Sequence, residues 1–105
     1  MKIYIEKENT LQIDENTSFI LLNANEFVST ITKQSLFVPA RHIAVTLKYK
    51  LVSSNKEYLG KSVWNSYTSI TNSIDTSSPY TVELVNFKLA DKEEKYFEFN
   101  FKKNN

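Results

Sequence analysis

The chain has no cysteine, one glycine, two prolines, one histidine and, among thirteen cationic residues, one arginine. Each scarcity closes a class of chemistry. Without cysteine there are no disulfides, no thiolate metal ligands and no cysteine nucleophile, while the redox compartment stays open because a sufficient core needs no staple. With Gly60 alone, neither a Walker loop nor a dinucleotide-binding turn can form, since both place several glycines where backbone approaches phosphate. No serine sits in a Gly-x-Ser-x-Gly elbow for the same reason. His42 is the one residue that could act as the base of a nucleophilic triad, and it lies beside Arg41 on the polar side of a strand pattern. Asp91, Glu93 and Glu94 have neither the glycine nor the ligand spacing of a calcium loop. Glu83 and Glu98 are the one carboxylate pair that a hairpin could bring opposite each other. The expectation is therefore a protein with no catalytic residues, no cofactor and no metal.

Long apolar runs and a dominant charge are missing too. The longest plainly apolar run, Phe19 to Leu22, falls far short of the roughly 20 residues that span a bilayer. The opening Met-Lys-Ile-Tyr-Ile-Glu lacks the apolar h-region of a signal peptide, so a cytoplasmic, membrane-free protein is the default expectation. Thirteen basic residues against twelve acidic ones leave a net charge of +1, which gives no global field toward DNA or anionic membranes. Nucleic-acid contact would need a local patch.

What is present is a globular composition. Of 105 residues, 41% are hydrophobic and 13% aromatic, enough for one core and one domain spanning 1–105. Lys, Asn, Ile, Tyr and Phe are favoured at the expense of Arg, Gly and Pro, a vocabulary of AT-rich codons that suggests a bacterial or phage genome. There is no internal repeat and no low-complexity tract.

The strongest pattern is Arg41 to Val52. Ile43, Val45, Leu47, Tyr49 and Leu51 alternate with His42, Ala44, Thr46, Lys48 and Lys50, which is the period of a strand with one apolar and one basic face. Pro39 bars a paired strand from starting earlier. Lys2 to Glu6 and Thr10 to Ile13 read as a hairpin across Lys7-Glu8-Asn9, with Asn9 at positive φ. Ile20, Ala24, Phe27 and Ile31 have helical spacing, and Asn23 with Glu26 resembles an N-cap and its reciprocal acid. They predict a strand over 19–22 followed by a helix over 24–34. Ser53 to Lys56 reads as a turn, Gly60 as an element boundary and 61–74 as strand despite some helical spacing. Tyr80 to Leu89 and Lys95 to Lys103 form a last hairpin in which Phe97, Phe99 and Phe101 share a face. The fold expected is α+β, mainly β: a twisted antiparallel sheet or small sandwich of five to seven strands with one short helix near residues 24–34.

Two patterns carry functional expectations. Arg41, His42, Lys48 and Lys50 are basic positions of the central strand, and Tyr96, Lys102 and Lys103 decorate the last one, an arrangement with which a sheet can bind phosphates and stack bases. Trp64, Tyr67, Tyr58 and Arg41 are residue types that anchor protein interfaces. The leading expectation is a small non-enzymatic protein-binding module with Arg41, His42, Lys48, Lys50, Trp64 and Tyr67 as partner-binding residues. A phage or mobile-element accessory factor fits this character: an anti-CRISPR-like inhibitor of a host nucleic-acid-targeting effector, or an immunity protein. The partner is then another protein or a nucleoprotein complex. Direct binding of RNA or single-stranded DNA and a structural, oligomer-forming role are the alternatives.

Overall fold

The computed structural model describes residues 1–4, 8–31, 40–65, 68–88 and 95–104, with side chains described for all of these but 26–31, 40–43 and 68. Eight strands and no helix occupy the described residues: Lys2–Tyr4 (β1), Thr10–Asp14 (β2), Thr17–Ile31 (β3), Ala40–Ser53 (β4), Lys56–Asn65 (β5), Thr68–Ile74 (β6), Tyr80–Lys88 (β7) and Tyr96–Lys103 (β8). All pairings are antiparallel. β2 to β6 follow one another as a five-stranded meander, and a smaller sheet has the order β1-β8-β7.

The register of the larger sheet follows from one turn. Ser54 and Asn55 take φ of 49° and 68°, the two positive values that a two-residue type I′ hairpin demands. Each β4 residue therefore faces the β5 residue equally far from the turn: Ser53 with Lys56, Leu51 with Tyr58, Tyr49 with Gly60 and Lys48 with Lys61. Alternation then sorts the faces. Val45, Leu47, Tyr49 and Leu51 are buried, and they join Ile3, Phe19, Tyr80, Val82, Leu84, Phe97 and Phe99 in one cluster between the two sheets. The aromatic face of β8 forms as its spacing predicts, with Phe97 and Phe99 fully buried and Phe101 half-buried. Phe19 packs 4.8 Å from Phe99 and 5.0 Å from Tyr49, centroid to centroid.

Tyr49 lies over Gly60. A Cβ added at Gly60 would sit 2.5 Å from Tyr49 Cε1 and 3.1 Å from Ile74 Cγ1, so hydrogen is the only side chain that fits. The ring cannot swing away freely, because its hydroxyl is 2.8 Å from Ser62 Oγ, itself fully buried. Ser62 donates to Asn72 Oδ1 at 2.6 Å, which leaves Tyr49 as donor to Ser62, and Asn72 Oδ1 also accepts the Leu84 N–H at 3.0 Å. The hydrogen bonds from the centre of the larger sheet and from the backbone edge of β7 thus meet at Asn72 Oδ1. Burial pushes the Tyr49 hydroxyl above its ordinary pKa. A second polar tie crosses the sheets where the Tyr80 hydroxyl donates to Asp14 Oδ2 at 2.6 Å. That bond, followed by the Asn16 N–H, holds the Asp14 carboxyl below its usual range, and the same bond raises Tyr80.

Four expectations are corrected. Among the described residues the class is all-β, with eight strands rather than five to seven, and no short helix occupies residues 24–31: β3 runs through them, paired with β4 from Thr17↔Ser53 to Ile31↔Ala40. The helical spacing of Ile20, Ala24, Phe27 and Ile31 does not mark one face: Ile20 pairs with the outward Lys50 and Ala24 with the inward Leu47, on either side of a bulge where the register shifts between Leu21 and Asn23. Residues 32–34 of that expected helix lie outside the described residues. The N-terminal hairpin does not form either: β1 pairs with β8 and β2 with β3, placing Ile3 opposite Phe97 and Leu11 opposite Phe19 in different sheets. Asn9 accordingly is not among the positive-φ residues. Gly60 is no boundary but the middle of β5, kept small by Tyr49.

Gly60→Ala is expected to lower stability by about 1–3 kcal/mol, the range for overpacking a well-filled core. Urea unfolding followed by tryptophan fluorescence reads this directly, and an unchanged midpoint would contradict the close packing.

Candidate functional site

The face of the larger sheet that points away from the core is built by the other half of each alternation. From β4 it takes Lys48 and Lys50, from β5 Leu59 and Lys61, and from β6 Ser73; Leu22, the residue added by the β3 bulge, lies beside them. Lys50 Nζ is 2.7 Å from Glu57 Oε1, so its charge is matched within the sheet. Lys48 and Lys61 are not matched. They stand directly opposite each other on neighbouring strands, with Cβ atoms about 5 Å apart by antiparallel geometry. Neither has an ion-pair partner among the described residues. Like charges in this position destabilise a sheet.

Apolar surface flanks the two lysines. Leu59 is 65% exposed, the most exposed large hydrophobic among the described residues, and Leu22 is 52% exposed; both lie on one patch. Leu22, Lys48, Leu59, Lys61, Ile74 and Asp75 line a groove of about 520 Å³. Asp75 makes no ion pair with the lysines: its Oδ1 accepts from Ser77 N–H at 3.0 Å and from Ser77 Oγ at 2.7 Å. Those bonds hold its carboxyl below the ordinary range. No exposed large hydrophobic among the described residues is aromatic.

Of the six partner-binding residues expected from the sequence, the three with described side chains, Lys48, Lys50 and Trp64, do not share one face. Lys48 and Lys50 share the outward face, with Lys50 already engaged. Arg41 and His42 lie on the stretch of β4 that outruns β5, where their backbones pair with Thr30 and Ser29. Arg41 is seven residues from Lys48, about 23 Å along an extended strand. Trp64 faces inward opposite Val45 and packs edge-on against Phe87 of β7 at 4.9 Å, joining the sheets. Tyr67 lies outside the described residues, as do Asp91, Glu93 and Glu94. Tyr96 is covered as well, with Lys2 Nζ 4.5 Å above its ring and the Tyr4 ring 5.9 Å away. Glu83 faces Asn100 and Glu98 faces Asn86, so the two carboxylates are not cross-strand partners. Among the described residues no three His, Asp or Glu come together as a metal site, and no helix is long and apolar enough to cross a membrane.

Sequence reasoning missed Lys61, Leu22 and Leu59. Lys61 was within reach: a two-residue turn at Ser54 and Asn55 pairs it with Lys48 by counting outward. Leu22 was not, because its outward position depends on a bulge that no local residue announces. No family model, no curated protein and no solved structure matches this chain.

Lys61→Glu converts a like-charged cross-strand pair into an opposite one and is expected to leave stability unchanged or raise it by up to about 1 kcal/mol. Urea midpoints of the variant and the parent check this; a clear loss of stability would assign Lys61 a structural role instead.

Proposed function

We propose that the chain is a non-catalytic protein-binding module that docks a partner on the outward face of its five-stranded sheet. The observation that carries the reading is the unmatched pair Lys48 and Lys61 set between exposed Leu22 and Leu59. A scaffold serving only itself gains nothing from two opposed lysines beside bare leucines, whereas a partner with acidic and apolar groups would neutralise one and cover the other. An inhibitor of a nucleic-acid-targeting effector, or an immunity protein, is the kind of module this reading describes.

The chemistry of the face favours a protein over single-stranded nucleic acid. Base stacking needs exposed rings beside the cations; the residues beside Lys48 and Lys61 are aliphatic, and Tyr96 is already covered by Lys2 and Tyr4. Self-association through this face would set the lysines of two copies against each other.

The double variant Lys48→Glu/Lys61→Glu separates these readings. It is expected to fold as the parent does and to lose a defined protein partner that the parent and a Lys102→Glu/Lys103→Glu control both retain in affinity capture. Capture unaffected by the reversal contradicts the proposal. Salt-sensitive binding of a labelled single-stranded oligonucleotide, abolished by the same reversal, contradicts it in favour of nucleic acid.

A further inference from the structure

Resting on that docking face, the groove geometry assigns its occupant, and we infer that it receives an extended protein segment of pattern aliphatic-x-acid, with the carboxylate over Lys48 and Lys61 and the aliphatic side chain against Leu22 and Leu59. Three observations define the pattern. The first is charge: two ammonium groups face the groove against the single carboxylate of Asp75, which is turned to Ser77, so the complement of the site is one carboxylate. The second is spacing. Lys61 and Leu59 are two residues apart on one face of β5, about 7 Å, which equals the repeat between same-side residues of another extended chain. The third is shape. Leu59 and Leu22 are each more than half exposed, so the groove covers only one side of whatever lies in it. Small-ligand sites enclose most of their ligand; an open groove of about 520 Å³ suits a chain segment that continues beyond it.

Neither a second copy nor a polyanion satisfies all three. A second copy brings lysines to lysines on this face, and a phosphate backbone offers no aliphatic group to Leu22 and Leu59.

The test is a titration of the full 15N-labelled chain, observed by amide chemical shifts, with the blocked peptide acetyl-Thr-Leu-Thr-Glu-Thr-amide. Expected are saturable shifts in the millimolar range centred on Leu22, Lys48, Leu59 and Lys61. Replacing Glu by Gln in the peptide, moving Leu next to Glu, or introducing Lys61→Glu into the protein should each weaken binding about three- to five-fold, the reach of one exposed charge or contact. Equal binding of the Gln peptide or of the shifted peptide, shifts centred elsewhere, or no binding would overturn the inference. If the peptide fails while charge reversal still abolishes partner capture, the aliphatic-x-acid occupant is wrong and the docking face stands; if reversal leaves capture intact, both fall. A phosphate-backbone oligonucleotide that shifts the same amides more strongly than the peptide also overturns it.

Discussion

Tyr49 packed over Gly60 is the constraint on which the arrangement of this protein depends. A large ring on the inner face of the central strand needs a residue without a side chain directly across from it, and the chain's only glycine stands there. Filling a glycine's gap with a cross-strand aromatic is a recognised way of pinning sheet register. Here the ring is further held by its hydroxyl, through Ser62 and Asn72, to the Leu84 N–H of the other sheet. Register, sheet docking and the satisfaction of an edge amide are thereby joined in one buried chain of hydrogen bonds, which gains from mutual polarisation and is costly to leave half made.

The functional face follows from the same constraint. A strand has two sides, and a shift of one residue would exchange them. With Tyr49 and Gly60 fixed inward, Lys48 and Lys61 are fixed outward and opposite each other. The cost of that opposition is small on an exposed surface, and the core formed by Phe19, Tyr49, Phe97 and Phe99 tolerates it. The bulge at Leu22 adds the apolar component, lifting one leucine out of the alternation and onto the outward surface. Stability and binding thus occupy opposite faces of the same strands.

How much of this can be read from the chain depends on whether the signal is local. The central strand, the Ser54-Asn55 turn and the β7-β8 hairpin are written in alternation and turn residues over short stretches, and they form as those patterns predict. The helix expected over 24–34 fails because residues 24–31 pair in unbroken register with β4, and pairing is a property of two strands rather than of one. The N-terminal hairpin fails because β1 finds β8, more than ninety residues away, a pairing on which nearest-neighbour patterns are silent. Gly60 reads as a boundary until Tyr49 is placed opposite. The candidate site shows the same division: Lys48 is legible from its strand, Lys61 only once the turn fixes the register, and Trp64 changes from a surface anchor to a contact between sheets when Phe87 is brought against it.

The most direct test of this dependence is amide hydrogen exchange at Leu84. Its N–H lies on the side of β7 away from β8 and bonds only to the Asn72 side chain, so on an edge strand it would ordinarily exchange fast. If the chain from Tyr49 through Ser62 and Asn72 holds the two sheets together, Leu84 exchanges as slowly as the amides of β4, and Ser62→Ala speeds it selectively while the β4 amides change far less. Fast exchange at Leu84 in the parent protein, or protection that survives Ser62→Ala, would contradict the account.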